Sequence, residues 1–461
     1  MQKVKIKDFG PIKDVSLEIK DLMVFVGPQA SGKSTIAKVI FFFKSLRDDL
    51  IKYLSDSIDA NFFDRPLGTY RKYVRQKYLD YFGPSTHLSE FNLIYYYSNN
   101  IYIEVYLEKK HKYINPEFSD EFKHNFLLLI EDCKEFSYTL RQKYKSSSLT
   151  SKDLFEREKE KSAFLNNIKK EITAKLFFDD RELIFVPAGR SIISTLSDQI
   201  QEFNPRQLDF LMRTFLERVR IIRPFFNKSF HDILIERKLL PTGVRPGLKK
   251  YFLSPSNENI KLVLDGIKKI LKGEYRFDKS GEKIFYDKNN YVKLNFASSG
   301  QQEVLWILLL LFIIVLENQK VFIVIEEPEA HLYPEAQREM VNLIALALNI
   351  NKNENNKIVD QTKNQAIITT HSPYILASFN NLIYADKVGR NKNYKEEISK
   401  IIPQNLWIKY ENVFAGIVEC GKVREIIDDE LKIIKHETID KISHTINEEF
   451  DKLQIIEIEN E

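Results

Sequence analysis

Gly27-Pro28-Gln29-Ala30-Ser31-Gly32-Lys33-Ser34-Thr35 is the stretch that decides the reading of this chain. It fits G-x-x-x-x-G-K-[ST], and its flanks supply the context that pattern needs. Met23-Val24-Phe25-Val26 before it reads as a short buried strand, while Ile36, Val39, Ile40 and Phe43 after it recur at helical spacing. Glycines let such a loop curl until its amides and the helix N-terminus surround a phosphate chain. Lys33 would then neutralise the β- and γ-phosphates and the Ser34 hydroxyl would ligate Mg2+, so ATP with Mg2+ is the expected ligand pair.

Three further strings lie downstream. Val321-Phe322-Ile323-Val324-Ile325-Glu326-Glu327-Pro328 describes a buried parallel strand delivering two carboxylates at its C-terminal end, where open α/β sheets bind ligands. Side chains alternate along a strand, so the two acids are expected to differ in role: Glu326 in the Mg2+ hydration shell, Glu327 as the general base for the attacking water. Ser298-Ser299-Gly300-Gln301 opens an apolar helix and offers free amides and a capping hydroxyl, either as a second anion site or as an ordinary N-cap. Ala366-Ile367-Ile368-Thr369-Thr370-His371 is a strand ending in a lone His, which is structural unless its strand lies beside the acidic one. Arg190, after the strand Leu183 to Val186, is a weaker candidate to reach the nucleotide or a neighbouring subunit.

Around these strings the chain divides into an N-terminal lobe with the glycine loop (1–108), a helical insertion (109–182), a strand with helical and β segments (183–290), a C-terminal lobe with the acidic strand (291–400) and a helical tail (401–461). Val4 and Ile6 alternate with polar residues, as do Val15, Leu17 and Ile19, and Gly10-Pro11 between them predicts a hairpin. Leu93 to Leu107 predicts two strands around Ser98-Asn99-Asn100, and Tyr275–Phe277 and Lys283–Tyr286 two more. Lys109 to Leu176 reads as helical, with a break at Ser146-Ser147-Ser148. Gln201 to Lys238 is helical with an interruption at Pro224, followed by a loop marked by Pro241, Gly243, Pro246 and Gly247.

At 461 residues the chain exceeds one compact domain, and 43% hydrophobic with 29% charged residues excludes disordered, collagen-like and disulfide-scaffold classes. A balance of 69 basic against 65 acidic residues does not advertise nucleic acid by global charge. Locally, Lys134 to Leu176 carries eleven Lys or Arg against six Asp or Glu, a solvated helical face or a nucleic-acid contact. Cys133 and Cys420 stand apart without metal spacing, which reads as two buried thiols in an intracellular protein. The opening residues contain no apolar stretch after their lysines, so no secretory leader is expected. Val304 to Leu316 is shorter than the roughly 18–20 residues of a membrane span and predicts a buried helix. No membrane partner is expected.

The order of strings, Gly27–Thr35, then Ser298–Gln301, then Glu326-Glu327-Pro328, then His371, resembles ABC-type ATPase heads such as those of transporters, SMC proteins and RecF-like proteins. Glu-Glu-Pro-Glu-Ala-His-Leu-Tyr-Pro, Thr-Thr-His-Ser-Pro and the opening Ile6-Lys7-Asp8-Phe9-Gly10-Pro11-Ile12 are similar to the OLD-like branch of that family. The resemblance implies an α/β, ABC/SMC-like P-loop head with a mixed sheet, an antiparallel β subdomain and a helical insertion. It implies head-to-tail pairing in which Ser298 and Gly300 of one subunit cap the γ-phosphate held by Lys33 and Ser34 of the other. His371 would contact that phosphate, and Glu329 to Leu332 would couple the two sites. Ala297 and Ser299 stand where the family signature has Leu and Gly, Glu326 stands where it has Asp, and no residue is matched to its Gln-loop.

The long gap between Ser34 and Ser298 shows no sustained heptad, so a small helical subdomain is expected there in place of the SMC coiled coil. The sequence after His371 suits a docking or oligomer-forming tail better than the Toprim nuclease of many OLD-like proteins. The implied function is a cytoplasmic ATPase subunit of a bacterial antiphage defence complex, similar to PARIS-type and Septu-type ATPases. Such a subunit forms a homo-oligomer, answers a phage-encoded trigger or DNA, and holds or releases a separate nuclease-type effector protein. The alternative is a RecF/SMC-like repair ATPase acting directly on DNA; a transporter's soluble ATPase fits the long insertion less well.

Overall fold

The computed structural model describes residues 1–109, 113–145, 150–195, 208–239, 257–350, 363–428 and 430–435. From the N-terminus, β1 (Lys3–Phe9), β2 (Ile12–Glu18) and β3 (Leu22–Val26) lead through the glycine loop into α1 (Lys33–Ala60) and α2 (Pro66–Phe82). β4 (Phe91–Tyr96), β5 (Tyr102–Leu107) and β6 (Asn115–Phe118) precede α3 (Asp120–Lys143) and α4 (Ser151–Ile172), and β7 (Glu182–Val186) follows. α5 (Ser191–Thr195), α6 (Phe210–Ile222), α7 (Phe230–Leu239) and α8 (Asn257–Leu271) lead to β8 (Glu274–Asp278), β9 (Gly281–Phe285) and β10 (Tyr291–Lys293). Next come α9 (Ser299–Leu316), β11 (Val321–Glu326), α10 (Pro334–Asn349), β12 (Gln365–Thr370), α11 (Pro373–Gly389) and α12 (Lys395–Ile401). β13 (Val413–Glu419), β14 (Lys422–Glu425), β15 (Ile427–Asp428) and β16 (Ile433–Ile434) close the described chain.

A six-stranded sheet ordered β14-β13-β3-β12-β11-β7 forms the centre, parallel except for its antiparallel edge strand β14. Its inner strands are continuous apolar runs because both faces are covered. Leu22, Val24 and Val26 point into a core built with α9, α10 and α11, whereas Met23 and Phe25 point to the opposite core with α1. A second, five-stranded sheet, β2-β1-β4-β5-β6, is antiparallel throughout and buries alternate residues such as Val4, Ile6, Leu93, Tyr95, Ile103 and Val105. Helix α1 lies between the two sheets. Phe41 packs on the rings of Phe185 and Phe322 in the central sheet, and Phe43 stacks on Tyr95 in the other. The expected α/β head with a mixed sheet, an antiparallel β subdomain and a helical insertion is therefore present.

Burial of α1 takes Lys44 and Arg47 out of water, and both find partners at the start of β7. Lys44 Nζ donates to Asp179 at 2.5 Å and to the Gln2 amide oxygen at 2.8 Å. Arg47 donates to the carbonyls of Asp179 and Arg181 at 2.7 and 2.8 Å. Arg181 in turn pairs with Asp179 at 3.0 Å.

Helix α9 is apolar on every side, and by length and composition it passes for a membrane span, yet it is mostly buried inside the protein. It fills the core behind the central sheet, as expected of Val304 to Leu316. Pro224 ends α6 and begins a 3-10 turn, Arg223–Phe226, because its ring cannot continue the helix.

Three expectations are corrected. The tail from residue 401 is not helical over its described part: Val413-Phe414-Ala415-Gly416-Ile417-Val418 enters the central sheet as β13, paired in parallel with β3. Within the supposed helical insertion, Asn115–Phe118 forms the edge strand β6, where Pro116 needs no ladder hydrogen bond on its open side. Cys133 is buried as expected, but Cys420 is exposed at the tight β13–β14 turn. The break at Ser146–Ser148, the loop marked by Pro241, Gly243, Pro246 and Gly247, and the acidic end Glu448 to Glu461 lie outside the described residues.

Burial alone would raise the Asp179 carboxyl, but Lys44 and Arg181 outweigh it and hold the group below the ordinary carboxylate range. A carboxylate lowered in the folded state stabilises fully above its unfolded value of about 4, and that contribution drains away as pH falls further. Asp179→Ala leaves Lys44 and Arg181 buried without their anion and is expected to cost about 3–5 kcal/mol near neutral pH. Urea denaturation at pH 7 and pH 3 checks this: the gap between wild type and variant should shrink at the lower pH.

Candidate nucleotide site

The register of the central sheet brings the sequence candidates to one edge. Glu326 of β11 lies opposite Thr369 of β12, and Thr370 lies opposite Val26 of β3, the residue before the glycine loop. The acidic strand therefore stands two strand spacings, about 10 Å, from the start of that loop.

The loop itself depends on glycine at two points. Gly27 has φ +148°, and a Cβ there would lie 2.4 Å from the Val418 carbonyl oxygen of β13. Gly32 has φ +108°, and a Cβ there would lie 2.4 Å from Ile12 Cδ1 at the tip of the first hairpin. The N-terminus of α1 carries no side-chain cap, so no side chain occupies its first amides. Lys33 Nζ folds back onto the carbonyls of Gly27 and Pro28 at 2.9 and 2.7 Å. Burial lowers its pKa, while Glu327 and Glu329 act the other way, which places both acids within electrostatic reach of Lys33.

Glu326 and Glu327 occupy different surroundings. Glu326 is buried, with Oε2 accepting the Ala188 N–H at 3.1 Å and Oε1 left unpartnered. Glu327 is turned out of the strand by a left-handed backbone, φ +45°, a conformation that costs a non-glycine residue about 1–2 kcal/mol. Its Oε1 lies 3.3 Å from His371 Nε2. Glu329 accepts from the Thr370 hydroxyl and the His371 N–H, each at 2.7 Å, and so fixes the His371 backbone to the acidic loop. Lys33, Glu327 and His371 thus lie together at this edge, while the Glu326 side chain turns toward Ala188. Ser34 and Thr35, the first residues after Lys33 in α1, are half-buried.

Ser31 Oγ, Glu326 Oε1, Glu329 Oε2 and Thr369 Oγ1 are buried without partners, all on the loops and strand ends at this edge. Buried polar atoms are ordinarily satisfied, so these oxygens fit a ligand that brings charge and water. Among the described residues no cluster of three His, Cys, Asp or Glu can cage a metal.

Ser298 caps α9 in a reciprocal box, its Oγ accepting the Gln301 N–H at 3.3 Å and Gln301 Oε1 accepting the Ser298 N–H at 3.2 Å. Ser298 is exposed, and Gly300 packs so tightly that a Cβ would lie 2.8 Å from the His331 carbonyl oxygen. Ser298 to Gln301 therefore border the acidic loop, with Ser299 between.

Arg190 does not reach outward to a nucleotide or a second subunit. Fully buried, it donates from Nε to the Glu303 carbonyl at 2.9 Å, from Nη1 to those of Pro187 at 3.1 Å and Glu326 at 2.8 Å, and from Nη2 to that of Glu327 at 3.1 Å. Sequence reasoning gave Glu303 no role and placed Glu329 only at the start of a coupling loop, without its bonds to Thr370 and His371. A lone acid at the head of an apolar helix, and a third acid after Glu326-Glu327-Pro328, were the available signals.

The sequence profile of the AAA ATPase domain family matches residues 1–376. No curated protein matches the chain significantly. Among solved structures, the chain is similar to "Crystal structure of the SmcHead bound to the C-winged helix domain of ScpA", at 12% identity over 92% of this chain and 96% of that one, with a TM-score of 0.39. "SMC head domain from Thermotoga maritima" follows at 13% identity over 82% and 90%, TM-score 0.32. "Structure of the recombination mediator protein RecF-ATPrS in RecFOR pathway" matches at 12% identity over 92% and 97%, TM-score 0.27. With most of its length matched by the family profile, and a glycine loop, acidic strand and His strand joined at one sheet edge, the chain belongs to the AAA ATPase domain family.

Proposed function

We propose that this chain binds ATP with Mg2+ at the Gly27–Thr35 loop and hydrolyses it. The observation that carries the reading is the convergence of Lys33, Glu327 and His371 at the C-terminal ends of β3, β11 and β12. Gly27, Pro28, Gln29, Ala30, Ser31 and Gly32 wrap the phosphates, and Lys33 exchanges the Gly27 and Pro28 carbonyls for phosphate oxygens. Ser34 would hold Mg2+ with Glu326 in its hydration shell, and the ion would supply charge neutralisation to the phosphates. Glu327 accepts the proton of the attacking water, and His371, 3.3 Å away, contacts the γ-phosphate side.

Closure takes a second copy of the chain. Ser298, Ser299, Gly300 and Gln301 of that copy cap the nucleotide, in keeping with the exposed Ser298 and with the exposed aromatics Phe296, Tyr333 and Tyr374 close in sequence to Ser298, His331 and His371. Such aromatic anchors suit a surface that is covered on assembly. In the wider reading the closed oligomer is a cytoplasmic antiphage defence subunit that holds a separate effector protein until an infection signal releases it. The similarity of its Glu326–Pro334 and Thr369–Pro373 strings to the OLD-like branch supports this.

A RecF/SMC-like ATPase acting on DNA is the second reading, favoured by the cations of α3 and α4. Some of these are already paired within the protein, Lys143 with Glu160 and Lys161 with Asp59, as is Lys175 with Glu171 just after α4. Lys169 and Lys170 are exposed in the last turn of α4.

Lys33→Ala is expected to abolish binding of a fluorescent ATP analogue, and Gly27→Ala to weaken it strongly by driving the loop off β13. Glu327→Gln should bind ATP normally, turn over little, and accumulate as a closed oligomer visible by native mass spectrometry; normal turnover in this variant removes the base assignment. Pulled down with its neighbouring gene products in Mg-ATP, Glu327→Gln should retain a second polypeptide, whereas a bare dimer holding only nucleic acid favours the DNA reading. In that second case, DNA binding should weaken steeply with salt and fall on Lys169→Glu with Lys170→Glu.

A further inference from the structure

Successive carbonyls of an extended strand point in opposite directions, so one side chain cannot ordinarily serve two of them. At the end of β11 the left-handed turn at Glu327 breaks that alternation, and the carbonyls of Glu326 and Glu327 both face the Arg190 guanidinium. The remaining donors run elsewhere. Nε meets the Glu303 carbonyl on the first turns of α9, and the Glu303 carboxylate lies 3.5 Å from Nη1.

The same turns of α9 are hooked to α5 by further bonds, the Thr195 hydroxyl donating to Gln302 Oε1 at 3.3 Å among them. The Ser191 N–H donates to Glu303 Oε2 at 2.9 Å, the Ser194 hydroxyl to the Gln302 carbonyl at 2.7 Å, and Trp306 Nε1 to Ser194 Oγ at 3.0 Å. A continuous chain of buried and half-buried hydrogen bonds thus runs from the helix capped by Ser298 to the backbone of Glu327. Arg190 is the one residue in that chain that touches both ends.

We propose that Arg190 is a positioning residue, holding Glu327 in its turned-out conformation and tying that conformation to the placement of α9. The proposal rests on the reading of Glu327 as the base. Displacement of α9, as when Ser298 to Gln301 engage a nucleotide on a second copy, moves Glu303 and with it the guanidinium fork, so base placement and subunit closure are one event. Lysine cannot substitute, because a single ammonium cannot span carbonyls that a planar fork reaches in several directions.

The test compares wild type, Arg190→Lys, Glu303→Gln, Glu327→Gln and the Arg190→Lys/Glu327→Gln double variant for steady-state ATP turnover, affinity for a fluorescent ATP analogue, and melting temperature. Arg190→Lys is expected to lower kcat about 10- to 100-fold with ATP affinity within about threefold of wild type, the split expected of a misplaced base. In the double variant Arg190→Lys should add nothing to the loss from Glu327→Gln. Glu303→Gln, which keeps the carbonyl and removes only the anion, should show a smaller loss of kcat and carries the same test if Arg190→Lys does not fold. Wild-type kcat in Arg190→Lys and Glu303→Gln beside an inactive Glu327→Gln overturns the proposal, as does a loss of affinity that accounts for the whole effect, or an additive loss in the double variant. Normal turnover in Glu327→Gln alone sinks the base assignment instead, so the two failures are told apart.

Discussion

No residue from Lys33 to Arg47 is exposed, because this half of α1 is the shared ply between two sheets. Apolar residues can satisfy that demand by packing, but Lys44 and Arg47 can satisfy it only with fixed partners. Those partners, Asp179 and the carbonyls of Asp179 and Arg181, sit at the head of β7. The strand is thereby fastened at one end to the helix that carries the glycine loop. At its other end, through Pro187 and Arg190, it is fastened to the acidic strand. Phosphate-binding loop and carboxylates are set relative to each other by a strand that supplies neither.

This arrangement explains why the two acids behave unlike one another despite being neighbours in sequence. Glu326 finishes a strand buried on both sides and keeps its side chain inside the sheet edge. Glu327 begins the turn, and its unfavourable backbone is stabilised by donors from Arg190 and by its own N–H donating to the Thr369 carbonyl at 2.9 Å. Strain at one residue persists because the surroundings over-determine it.

Much of this was legible. The glycine loop announced itself because few other needs require that spacing between a strand and a helix. The acidic strand did so because an unbroken apolar run predicts two covered faces. Strand β13 was not legible: Val413 to Val418 is a run of the same kind, but it is short and set among charged residues, and nothing local says that its partner is β3, far away in sequence. Edge strand β6 hid behind a proline and a helical neighbourhood. Arg190 looked outward-facing because arginine is rarely buried. Only the fold reveals that carbonyls from β11, α9 and its own loop surround it.

The place of β13 beside β3 has a consequence for biosynthesis. The Val418 carbonyl forms one wall of the space at Gly27, and Lys13 in the first hairpin donates its N–H to the Gly421 carbonyl at 2.8 Å. The ribosome makes the glycine loop long before the β13 surface that shapes it emerges. Pairing ends so distant in sequence is slow. A nascent chain therefore carries the complete glycine-loop sequence long before it carries the strand that shapes the loop.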